Sequence, residues 1–144
     1  MKKVFYLLIL SLLLGCLNEE SGLQQPQGEK YVATPLTIKS FTTNKELYRS
    51  RERMNMSVNI HSPLNSSCEV WVHGIKPYRK SNLERLYLKK DVDLNAGLNE
   101  VVFEYKLPSC TSCSGIREGS YEVVCEVSCG NQTLIQNKSI EVRK

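Results

Sequence analysis

Thiols and imidazoles are the side chains of this chain best suited to chemistry. Cys68, Cys110, Cys113, Cys125 and Cys129 lie in the folded part, with His61 and His73 as the two histidines. The run Cys110-x2-Cys113-x11-Cys125-x3-Cys129 faintly matches a four-thiolate zinc site. A zinc ion holds two sulfurs only about 4 Å apart, whereas four strand residues separate Cys125 from Cys129 by about 13 Å. The same Cys110-x2-Cys113 spacing matches a redox pair, whose thiolate is activated by a helix N-terminus. The residues that follow, Ser114-Gly115-Ile116, lead toward a strand instead. No carboxylate or cysteine stands at ligand spacing from either histidine, and both read as surface residues.

Nothing else in the chain reads as catalytic. There is no Ser/His/Asp order, no Gly-rich phosphate loop and no paired-carboxylate constellation. Glu100, Glu104, Glu122 and Glu126 fall on outward strand positions, where they keep a sheet soluble. No enzyme activity, resident metal or cofactor is expected.

The elements that position these residues alternate in steps of two. Met54 to Ile60 alternates apolar and polar side chains, as a half-buried strand does. Val101, Phe103, Tyr105 and Leu107 share one face, as do Tyr121, Val123, Cys125, Val127 and Cys129. Shorter strands are predicted at 35–42, 68–75, 84–90 and 133–143, with a short helix over 82–90 as the alternative there. Turn signals fall at 62–65, 76–77, 95–97, 108–119 and 130–131. About seven strands so spaced predict an all-β, two-sheet antiparallel sandwich over 34–144.

The N-terminal end reads differently. Lys2 and Lys3 precede an apolar run, Val4 to Leu14, that ends at Gly15 and Cys16. Eleven helical residues span only about 16 Å, too short for a hydrocarbon core of about 30 Å. Residues 1–15 therefore read as an export signal, and the polar stretch 16–33 as a flexible stalk. Removing Lys2 and Lys3 lowers the net charge from +4 to +2, too near balance to indicate a nucleic-acid partner.

Leu13-Leu14-Gly15-Cys16 resembles the lipobox of prokaryotic lipoproteins. That resemblance implies cleavage before Cys16, a lipid on its sulfur, and a place outside the cytoplasm on a cell membrane or surface. The strand pattern resembles the immunoglobulin-like domains of bacterial and archaeal cell-surface proteins, including the group named for bacterial cell adhesion. It rests on Tyr48, on Gly97-x-Asn99-x-Val101-x-Phe103-x-Tyr105 and on Gly119-x-Tyr121. It implies a non-catalytic binding or structural role in the cell envelope. The antibody pattern is not met, because Tyr121 lies four residues before Cys125, and Trp71 is out of phase with Val70 and Val72.

In such a sandwich segments 68–75 and 121–129 are antiparallel neighbours, which places Cys68 and Cys129 at one end. A cross-strand bridge fits that separation, so Cys68–Cys129 is the expected disulfide. Cys110 and Cys113 then form their own bridge, and Cys125 remains a buried free thiol. Pairing of Cys125 with Cys113 or Cys68 is the alternative.

Trp71 and Val124 fall on the outer face of their sheet and are a candidate partner surface. Arg79, Lys80, Arg85 and Lys89, with Tyr78 and Tyr87, offer a basic hairpin suited to anionic lipid heads, wall polymers or nucleic acid. A merely solvated hairpin is the simpler reading. Asn65 and Asn131 are candidate glycosylation sites at one end of the sandwich; Asn55 and Asn137 also begin sequons. The expected partners are the membrane, through Cys16, and an envelope protein or polysaccharide, with no nucleic acid. The rivals are a metal- or redox-active envelope protein built on Cys110 and Cys113, and an accessory subunit of a larger surface complex.

Overall fold

The computed structural model describes residues 34–77, 83–110 and 116–144. They fall within one compact unit, Ala33–Lys144. Cys16, the signal segment and the stalk lie outside the described residues, as do Cys113, Tyr78, Arg79 and Lys80.

Eight strands follow in order: β1 Thr37–Thr43, β2 Leu47–Arg49, β3 Arg53–Ser62, β4 Ser66–Gly74, β5 Leu86–Leu94, β6 Gly97–Lys106, β7 Gly119–Cys129 and β8 Gln132–Arg143. One sheet runs β1-β3-β6, the other β2-β8-β7-β4-β5. Every pairing is antiparallel except β2 with β8. The fold is an immunoglobulin-like β-sandwich. No helix occurs among the described residues, and Leu86–Leu94 is a strand, not the alternative helical turn.

The alternation read from sequence decides what faces inward. Met54, Met56, Val58 and Ile60 of β3 are fully buried, facing Val70 and Val72 of β4 and Val123, Cys125 and Val127 of β7. Burying such side chains stabilises the fold by roughly 1.5–3 kcal/mol each. Trp71, between Val70 and Val72, points outward, because successive strand residues take opposite faces.

β2 is the strand beyond the seven expected, and three residues are too few to show an alternation. Tyr48 at its centre is fully buried. Its hydroxyl donates to Asn44 Oδ1 at 2.7 Å and accepts the Lys45 amide at 3.0 Å, so the buried polar group is satisfied.

The sheet edges carry their own devices. β1 has a register shift between Ile38 and Ser40, at exposed Lys39. Lys90 of β5 donates its ammonium to the Val102 carbonyl of β6 at 2.6 Å and stands 5.1 Å from the Phe103 ring centre.

Candidate functional site

The outer face of the five-stranded sheet collects the exposed aromatic and ionisable groups. Trp71 lies between Lys89 of β5 and Glu126 of β7, and Glu126 in turn faces Ile135 of β8. The next row runs Tyr87, His73, Val124, Asn137. Trp71 and Val124 therefore share this face on a diagonal and are not direct partners. Tyr87, 59% exposed, meets Trp71 edge-on with ring centres 5.5 Å apart. Lys89 Nζ sits 5.2 Å from the Trp71 ring centre and pairs with Glu69. The bond from Glu69 holds the Lys89 ammonium above its usual pKa. With Lys89 over it and Tyr87 against it, Trp71 is part of a cross-strand cluster and only half-exposed.

Beside this cluster a groove of about 570 Å³ is lined by His73, Glu84, Tyr121, Glu122 and Val124 among others. His73 Nδ1 lies 2.8 Å from Glu84 Oε2, and Lys76 Nζ is 3.8 Å from the other Glu84 oxygen. The groove thus mixes both signs of charge at close range. His61 stands on the outer face of the opposite sheet, paired in register with Thr37 and Leu98, so the two histidines cannot share a metal. No group of three metal-ligating side chains occurs among the described residues.

The four described cysteines divide into a staple and two buried thiols. Cys68 and Cys129 form a disulfide with Cα atoms 4.4 Å apart, one step beyond the Glu69–Ser128 register pair. The bridge joins the start of β4 to the end of β7. Cys110 is a free, buried thiol, and Cys113, its expected partner in a Cys110–Cys113 bridge, lies outside the described residues. Its amide donates to Ser50 Oγ at 2.9 Å and its sulfur faces the Arg143 carbonyl at 4.0 Å. Cys110 is thereby turned in against the 49–53 turn and the end of β8. Cys125 is also free and fully buried. Burial, and then Glu126 beside it, push its thiol up to about 12, so it stays protonated at neutral pH. With Cys129 bridged to Cys68, the four-thiolate zinc set does not assemble.

Asn131 sits at the exposed tip of the two-residue turn joining β7 to β8, after Gly130 at φ 57°. Asn65 is exposed in the β3–β4 connection, its Oδ1 accepting the Ala96 amide at 2.8 Å. Both lie at the disulfide end. Asn137 instead donates its amide nitrogen to Glu122 at 2.7 Å.

The sequence did not bring together Trp71, Tyr87 and Lys89, or His73 and Glu84. Their contacts depend on the β4–β5 register, and the eleven residues between those strands exceed any turn that fixes register by itself.

No family model and no curated protein matches the sequence. Solved structures do match the fold. A CARDB domain of the PF1109 protein from Pyrococcus furiosus, solved in complex with di-metal ions, aligns with a TM-score of 0.54 at 15% identity. The alignment covers 76% of this chain and 88% of that one. A superoxide reductase (neelaredoxin) from Ignicoccus hospitalis aligns at 0.53 and 14% identity, covering 75% and 82%. The alkylpurine DNA glycosylase AlkC from Pseudomonas fluorescens, bound to DNA containing an abasic site analog, aligns at 0.52 and 18% identity, covering 76% and 30%. At these identities the likeness is one of fold. One sandwich serves proteins of unrelated chemistry, so function is argued from this chain's own residues.

Proposed function

We propose that this chain is a lipid-anchored protein of the cell envelope whose sandwich binds a partner and catalyses nothing. The observation that carries the proposal is the Cys68–Cys129 disulfide, in a chain whose first sixteen residues end in Leu-Leu-Gly-Cys. Disulfides persist in oxidising compartments, which is where an export signal would send the chain. The buried thiols of Cys110 and Cys125 favour packing over redox or metal chemistry. A lipid on Cys16 and a stalk over 17–33 would hold the sandwich at high local concentration near its partner, so weak contacts suffice.

The experiment is metabolic labelling with a tagged fatty acid during expression of the full chain in a bacterial host. The wild type takes up label and partitions with membranes, whereas Cys16→Ala does neither. Equal labelling of both, or recovery of uncleaved chain, removes the anchoring reading.

The side chains of Ile135, Val124, Trp71 and Tyr87, spread over two adjacent rows of one sheet face, favour a second reading, an accessory subunit of a larger surface complex. Crosslinking from position 135 in the native host tests it: a discrete protein adduct is the expected product, and its absence sinks the reading.

A further inference from the structure

The lysines and arginines are unevenly placed along the strands. None occurs in residues 54–75, 91–105 or 118–137, and the described cation toward the disulfide pole is Lys39 of β1, beside the Ile38–Ile60 pair. The opposite pole carries a cluster. Arg49 of β2 lies in register with Arg143 of β8, and Arg53 of β3 with Lys106 of β6. Arg51, at φ 66°, turns the chain between them, and Lys144 follows directly. All six are exposed.

The turn is fixed, not floppy. Ser50 donates its amide to the Arg143 carbonyl at 2.8 Å, and Leu107 donates to the Glu52 carbonyl at 2.9 Å. Two like-charge pairs directly across strands are a placement that sheets disfavour. Carboxylates are interleaved: Glu104 meets Arg53 at 2.6 Å, Glu141 meets Arg143 at 2.8 Å, and Glu52 pairs with Lys45. Arg51 and Lys106 pair with no described carboxylate.

We infer that this pole is a binding surface for an acidic polysaccharide. The inference deepens the envelope reading above and rests on it. Guanidinium forks take carboxylate, phosphate or sulfate groups in pairs of hydrogen bonds. The carboxylates among them accept from hydroxyls, so the surface matches a ligand that carries both. A single-stranded nucleic acid fits less well, because it calls for rings on which bases stack. The described tyrosines near this pole are tied down: Tyr48 to Asn44, Tyr105 to the Arg85 carbonyl and Tyr121 to the Arg117 carbonyl. The chain enters the sandwich at the other pole, where Thr37 pairs with His61. The basic pole is thus the end remote from that entry, about 30 Å away along β3.

The test uses the full chain carrying Cys16→Ser, on immobilised polygalacturonate, with dextran, duplex DNA and phosphatidylglycerol vesicles as parallel arms. Polygalacturonate is expected to hold the protein in dilute salt and release it at roughly 0.5 M salt, where screening is short-ranged. Dextran is expected not to hold it. The variant Arg51→Gly/Lys106→Gln/Arg143→Gln is expected to bind roughly tenfold more weakly. Lys106→Glu, which sets opposite charges across β3 and β6 and so favours the sheet, is expected to weaken binding as well. Lys39→Gln, on β1, is expected to bind as the wild type. No binding, unchanged binding by both basic-pole variants, or tighter binding to DNA or vesicles than to polygalacturonate overturns the inference. Since the protein in this assay carries no lipid on residue 16, its failure leaves the labelling result at Cys16 untouched, and the two readings fall separately.

Discussion

Gly74 at the end of β4 lies against the Glu122 carbonyl of β7 so closely that an added Cβ would stand 2.4 Å from that oxygen. Its φ of 131° is one that side-chain-bearing residues rarely adopt. The next residue, Ile75, donates its amide to the same carbonyl at 3.1 Å, so β7 cannot retreat without losing that bond. Gly74→Ala is therefore expected to destabilise the sandwich by about 2–4 kcal/mol. Gly97→Ala, with φ 106° but nothing within 4 Å of the added carbon, is expected to cost about 1 kcal/mol. Urea unfolding of the two variants checks this, and equal losses would show that the contact with Glu122 does not matter.

The Cys68–Cys129 bridge closes a loop of sequence separation 61. In the chain-entropy model a loop of that size stabilises by about 4 kcal/mol. Cys68→Ala/Cys129→Ala, or the reduced wild type, is expected to unfold at markedly lower urea. A midpoint unchanged by reductant would place the stability elsewhere.

Cys125 gives a pH signature. Its thiol titrates near 9.0 when unfolded and at about 12 when buried. Above pH 9 the unfolded chain loses this proton while the folded one keeps it, so stability falls as pH rises from 9 toward 12. Below pH 9 the group has no effect. Cys125→Ala is expected to flatten the alkaline decline relative to the wild type, read as urea midpoints at pH 8 and pH 10.5. Parallel declines would rule out Cys125 as its source.

Trp71 is the single tryptophan, so its fluorescence reports the cluster directly. Tyr87→Ala removes the edge-on ring and is expected to cost about 1 kcal/mol and shift the emission to the red. Lys89→Met keeps the aliphatic stem but removes the ammonium, and is expected to lower the urea midpoint slightly and to change the Trp71 emission. Emission unmoved in both variants would mean the rings do not meet in solution.

Long alternating strands were legible in the sequence because burial imposes a period of two. Met54 to Ile60 and Tyr121 to Cys129 show it, and the outward phase of Trp71 followed from Val70 and Val72. The Cys68–Cys129 pair was legible because strand adjacency in a sandwich decides it. β2 was not, since Tyr48 owes its burial to β8, nearly a hundred residues away in sequence. The surroundings of Cys110 were hidden for the same reason: its neighbours Ser50 and Arg143 are distant in sequence. The pairs Arg49–Arg143 and Arg53–Lys106 were equally invisible, because only strand register sets like charges side by side.

Lys90, reaching from β5 to the Val102 carbonyl of β6, occupies an acceptor that a foreign strand would need for pairing. The bulge at Lys39 breaks the register of β1, and β2 offers only three residues on its free side. Molecules of this kind can be crowded shoulder to shoulder without zipping into fibres, and that tolerance is set by the periphery of the sheets and not by their interior.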